Sequence, residues 1–146
     1  MNFDEFTEIV NERMLSNPIW FQLREDAPSE LNDLSSMEDA LNAQLPDEYK
    51  KFVSTYGSGH FAFGIVYSPN PCSELSLYGI NMKNKSIRQD HVLFSESGTG
   101  DYYGFRTTES KCSSRVSFFD HESETWHETD HSDLFCFLSE TALRNR

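Results

Sequence analysis

The densest run of chemically capable side chains is Asp120-His121-Glu122-Ser123-Glu124-Thr125-Trp126-His127-Glu128-Thr129-Asp130-His131-Ser132-Asp133. Imidazole and carboxylate are metal ligands and proton carriers, but a site needs them to converge. His127 and His131 have one-turn spacing only if this stretch is helical. Trp126 reads as strand and Ser132 as a helix cap, so the stretch reads as a solvated acidic hairpin with no metal. Ser97-Gly98-Thr99-Gly100 resembles part of a phosphate cradle. It has no lysine, precedes a strand, and is followed by Asp101, which repels phosphate; it reads as a turn between strands. Cys136 lies between Phe135 and Phe137 and reads as core. Cys72 and Cys112 fall near expected loops, and no motif pairs them with His60 or His91. Carboxylates are too numerous for any pair to stand out, so no catalytic constellation and no cofactor site is assigned.

Binding is the better class. Lys and Arg number 12 against 24 Asp and Glu, for a net charge of −12. That balance excludes general nucleic-acid binding and docking on an anionic membrane, both of which draw on clustered cations. The acids are unevenly placed. Residues 1–48 carry 12 of them against Arg13 and Arg24, residues 49–115 carry five against eight bases, and residues 116–146 carry seven against two. With 14% aromatic residues the chain can build a core, so it is not a disordered acidic tail. No apolar run reaches membrane length and the start lacks a signal-peptide form, so a cytoplasmic location is expected. Three cysteines without a Cys-x-x-Cys pair fit neither a disulfide framework nor a zinc knuckle.

The elements that position these residues follow from periodicity. Phe3, Phe6, Ile9, Val10 and Met14 predict a first helix, with Asn2 and Glu5 as a capping pair. Residues 16–34 are irregular, with Trp20 and Phe21 as anchors. A second helix is expected from Ser35 or Ser36, capped through Glu38, with Met37 and Leu41 inward. Leu45-Pro46-Asp47-Glu48-Tyr49 opens a third. Its proline takes the first helical position, and its buried face is Tyr49, Phe52, Val53 and Tyr56, closed by Gly57. Phe61, Phe63, Ile65 and Tyr67 then alternate as a strand, and Leu75, Leu77 and Tyr78 suggest another. Val92–Phe94, Tyr102–Thr107, Val116–Phe119 and a short piece around Trp126 complete an antiparallel run. Ser132 caps a last helix carrying Leu134 to Leu143. With no helices between strands, the class is α+β: N-terminal helices, a central antiparallel sheet, and a C-terminal helix packed on it, in one domain over 1–146.

The helix Leu45-Pro46-x-x-Tyr49-Lys50-x-Phe52 ending at Tyr56-Gly57, followed by these strands and a closing helix, is similar to the signature of the SUKH superfamily. That superfamily includes fungal cell-wall assembly regulators and many bacterial immunity proteins. The resemblance spans roughly residues 30–140. It implies a non-enzymatic cytoplasmic antitoxin that binds the C-terminal toxin domain of a secreted polymorphic toxin, often a nuclease. No catalytic residues are shared, and the toxin-facing surface differs between members. Physical chemistry then selects a face, because a nuclease cleft is positive in order to hold phosphate. The expected toxin-binding residues are the acids Glu96, Asp101, Asp120, Glu122, Glu124 and Glu128, with Tyr102, Tyr103 and Trp126 as ring contacts. The chain itself is expected to be a monomer or weak homodimer. An intracellular scaffold without a toxin partner is the alternative, and a small metal-dependent hydrolase is a third.

Overall fold

The computed structural model describes residues 1–144. Helix α1 (Phe3–Ser16) starts where expected, with the Asn2 side chain accepting from the Glu5 N–H, and buries Phe6 and Val10. A 3-10 segment, Pro18–Phe21, leads to strand β1 (Arg24–Asp26). Helix α2 spans Leu31–Leu41, four residues earlier than the sequence suggests. Glu30 and Asp33 cap it reciprocally, in place of a Ser35–Glu38 pair. Glu38 instead accepts from the Leu45 N–H at 2.8 Å and pairs with Lys50. Helix α3 (Asp47–Tyr56) buries Tyr49, Phe52 and Val53. Pro46 stands at its N-cap, one position before the expected place. Gly57 closes it at φ +87, where a Cβ would lie 2.0 Å from the Asp26 carbonyl oxygen.

The alternating run from Phe61 is a hairpin, not one strand. Ala62 at φ 51 turns the chain between β2 (Ser58–Phe61) and β3 (Gly64–Val66). The segment expected as a strand at Leu75–Tyr78 is helical. Ser76 caps α4 (Leu77–Lys83) by accepting from the Gly79 N–H, and a single turn, α5 (Lys85–Arg88), follows. The apolar triplet alone does not separate the two periods; the serine cap decides. The remaining strands are β4 (His91–Glu96), β5 (Tyr102–Thr108), β6 (Lys111–Asp120) and β7 (Thr125–Glu128). Helix α6 (Leu134–Thr141) is capped by Asp133 rather than Ser132. The architecture is α+β, with a three-stranded antiparallel sheet β1-β2-β3 and a four-stranded antiparallel sheet β4-β5-β6-β7.

A ring-rich core joins the layers. Phe6 of α1 stacks on Phe135 of α6 at 4.9 Å, Phe52 meets Phe61 edge-on at 4.9 Å, and Phe94 stacks on Phe105 at 4.2 Å. The outer edge of β4 is closed by side chain and loop. Asn81, fully buried in α4, donates to the Leu93 carbonyl at 2.9 Å and accepts from the Leu93 N–H at 2.8 Å. The Tyr67 N–H donates to the Phe94 carbonyl, and the Ser95 hydroxyl to the Ile65 carbonyl. These bonds satisfy an edge that otherwise invites another strand. They also fix β4 and with it one wall of the acidic face.

Candidate functional site

The β4–β5 and β6–β7 turns emerge at the same end of the four-stranded sheet. Register places Glu96 opposite Tyr102, Tyr102 opposite Phe119, and Phe119 opposite Trp126, so the turn at 97–101 and the turn at 121–124 are neighbours. Ser97–Gly100 is a turn as expected, closed by the Ser97 N–H on the Asp101 carbonyl at 3.1 Å, with Gly98 and Gly100 at positive φ.

One contact joins the two turns. Asp101 Oδ1 accepts from the His121 backbone N–H at 3.0 Å and lies 2.6 Å from His121 Nδ1. The bond to Asp101 holds the His121 imidazole above its ordinary pKa, and the same two bonds hold the Asp101 carboxyl below its own. Gly100 makes room for the ring, because a Cβ there would meet His121 Cγ at 3.2 Å. Asp120 turns its carboxylate to the Glu122 N–H at 2.9 Å. Asp101, Asp120 and His121 offer ligand atoms within 4.8 Å of one another. Two of the three groups are occupied with each other, so the arrangement acts as a hydrogen-bonded tie between turns.

The other sequence-selected residues divide by environment. Glu122, Glu124 and Glu128 are exposed, while Glu96 is half-buried and accepts from the Tyr67 hydroxyl at 2.6 Å. Burial and that carboxylate push the Tyr67 phenol well up, so it serves as a neutral donor. Tyr102 is half-buried at the mouth of the turn, and burial raises its phenol. Tyr103 packs between Phe118 at 5.4 Å and Phe137 of α6 at 4.6 Å. Trp126 is held from two sides: its ring stacks on His91 at 3.8 Å and its indole N–H donates to the Ile87 carbonyl at 2.9 Å. No lysine or arginine occurs in 95–105 or 116–125, the stretches that form these turns, which together hold five carboxylates. The field of this sheet end is therefore negative.

Beside it lies a polar cleft of about 490 Å³, lined by Asp90, His91, Arg106, Trp126, His127 and Glu128 among others. Burial lowers the His91 pKa, outweighing the opposing pull of Asp90, so the ring stacked on Trp126 is neutral at pH 7. Sequence reading leaves His91 unplaced, because its partner is 35 residues away and no local spacing marks the pair. The three histidines of the acidic hairpin separate. His121 is tied to Asp101, His127 bonds Thr125, and His131 lies 3.4 Å from Glu140. Among the described residues they form no shared ligand cluster. Cys112, expected near a loop, is buried on β6, and burial pushes its thiol up to about 12, which suppresses the thiolate. Cys136 is half-buried and Cys72 exposed.

Helices on an antiparallel sheet, with the Leu-Pro-x-x-Tyr helix buried through its tyrosine, make the α+β fold that the SUKH resemblance implies. The chain belongs to the SUKH_6 family, described as SMI1-KNR4 cell-wall, whose model matches residues 31–138. No curated protein matches the chain. No helix among the described residues is long and apolar enough to cross a membrane.

Proposed function

We propose that this chain is an immunity protein that binds and neutralises the C-terminal toxin domain of a secreted polymorphic toxin. The toxin domain is basic, and a nuclease is the activity its charge best matches. Family membership supports an immunity or regulatory role without turnover. The observation that carries the toxin reading is the sheet end whose two turns contain no lysine or arginine, where the Asp101–His121 tie leaves Glu122 and Glu124 presented to solvent. Such a surface complements a phosphate-binding cleft and accelerates encounter with it. Glu96, Asp101, Asp120, Glu122, Glu124 and Glu128 supply the field. Tyr102, Tyr103 and Trp126 supply ring contacts through whichever edges their internal packing leaves accessible. The protein acts in the cytoplasm of the producing cell, needs no cofactor, and contacts neither nucleic acid nor membrane.

The test is co-expression with the C-terminal domain of the large secreted protein encoded beside this chain. Restored growth and co-purification as a stoichiometric complex are expected. A neighbouring toxin gene whose product this chain neither binds nor neutralises refutes the reading. Regulatory binding without a toxin, as in a scaffold, then takes its place.

A further inference from the structure

Several of the exposed apolar side chains fall on one short segment of the chain. Leu15, Ile19 and Leu23 fall within nine residues at four-residue intervals, and are 86%, 69% and 68% exposed. They run from the last turn of α1 through the 3-10 segment Pro18–Phe21 to the residue before β1. The segment is anchored beneath them. Phe21 meets Phe61 edge-on at 5.4 Å, and Trp20 packs 4.7 Å from Phe63, itself 49% exposed. Arg13 of α1 also donates to the Leu143 carbonyl at 2.7 Å. Single exposed leucines are ordinary on a protein surface. Several together on an anchored segment mark a contact site.

Charge identifies the occupant. Residues 1–30 carry seven Asp and Glu against Arg13 and Arg24. The outward stripe of α1 that ends at Leu15 contains Asp4, Glu8 and Glu12, all exposed. A second copy of this chain brings the same acids to the same place and is repelled, as is an anionic membrane. A basic protein with an apolar pocket is complementary on both counts. This segment also lies ahead of the matched residues 31–138, so it is a feature of the chain beyond what the family match covers.

We propose that Leu15, Ile19 and Leu23 form the apolar anchor by which the chain grips its basic partner. The proposal rests on the toxin-binding reading and deepens it. The acidic turns govern encounter, and the anchor governs how long the complex lasts.

The test compares wild type, the triple variant Leu15→Ser/Ile19→Ser/Leu23→Ser, and single Ile19→Ser, each first shown folded by its urea midpoint. The probe is the purified C-terminal domain of the secreted protein encoded beside this chain. The triple variant is expected to bind about 100-fold more weakly, almost all of it in the dissociation rate, and the single variant about tenfold. A change under about threefold in both, with wild type binding normally, overturns the anchor and leaves the immunity reading intact. A wild-type protein that fails to bind the domain at all overturns both. A wild-type self-dimer in sedimentation velocity that the triple variant disperses also overturns the anchor, because the patch is then a homodimer face.

Discussion

Replacing Asn81 by leucine should destabilise this protein more than its single side chain suggests. The carboxamide makes three hydrogen bonds, to Leu77 O at 2.7 Å, to Leu93 O at 2.9 Å, and from Leu93 N at 2.8 Å. The Leu77 carbonyl lies in helix α4 and keeps its helical partner, but Leu93 has none to fall back on. Its residue is fully buried on the closed edge of β4. Leucine keeps the branched skeleton of asparagine but is bulkier, so some overpacking adds to the loss of two orphaned backbone groups. At about 1–3 kcal/mol each, the expected cost is about 2–6 kcal/mol. That is a large part of the about 5–15 kcal/mol that holds a domain together. Urea unfolding followed by the fluorescence of Trp20 and Trp126 should show the midpoint falling by about 1–3 M with an unchanged slope. Asn81→Asp adds a signature. Its carboxylate accepts from Leu93 N–H but cannot donate unless protonated, and burial raises its folded pKa above the unfolded value. Its stability is therefore fullest below the unfolded pKa and is lost as pH rises toward the folded one. A midpoint shift under about 0.3 M for Asn81→Leu refutes the claim that this side chain closes the β4 edge.

Four further outcomes are expected. Tyr49→Phe removes the 2.7 Å bond to the Tyr67 carbonyl inside the core and should lower stability by about 1–3 kcal/mol in the same assay. Gly104→Ala places a Cβ 2.9 Å from both Trp126 Cη2 and the Val92 carbonyl oxygen, so it should break the Trp126–His91 stack, visible as changed tryptophan emission and a loss of about 1–3 kcal/mol. In an NMR titration His91 should protonate below the ordinary histidine value and His121 above it. Stability carried by neutral His91 is present at pH 7 and lost as pH falls past about 6.5, whereas that carried by protonated His121 is present in acid and lost as pH rises through its raised value. Run on Asp101→Asn, the same titration should find His121 returned toward the ordinary value. Charge reversal at Asp101 and Glu122 should slow association with the toxin domain and flatten its salt dependence; unchanged rates would remove this face from the interface.

Local signals account for the parts of this molecule that the sequence discloses. Helix α3 is legible because Pro46, two acids and the Tyr49-Phe52-Val53-Tyr56 face agree with Gly57 at its end. Strands β4 to β7 are legible because each has apolar residues bounded by a turn. The early start of α2 is hidden because Glu30 is a weak sequence marker for a cap. Helix α4 is hidden because Leu75, Leu77 and Tyr78 fit either period, and what makes it helical includes Asn81 reaching β4, a contact twelve residues away. The β2–β3 turn is hidden because Ala62 adopts a backbone conformation that alanine rarely announces. At the candidate site the acids and rings are visible as residue types. The Asp101–His121 and His91–Trp126 pairings are not, since register brings them together across 20 and 35 residues. Ile19 and Leu23 are passed over because they sit in an irregular stretch where exposure cannot be read, and Leu15 because it falls just off the buried face of α1.

The Asp101–His121 tie has an effect on recognition beyond charge. Two loops stitched together in the free protein have already given up most of their independent motion, so little freedom remains to be lost when a partner settles on them. Such a rim selects by shape. A rival of equal charge but different contour cannot remould it, and acquires only the transient embrace that long-range attraction provides.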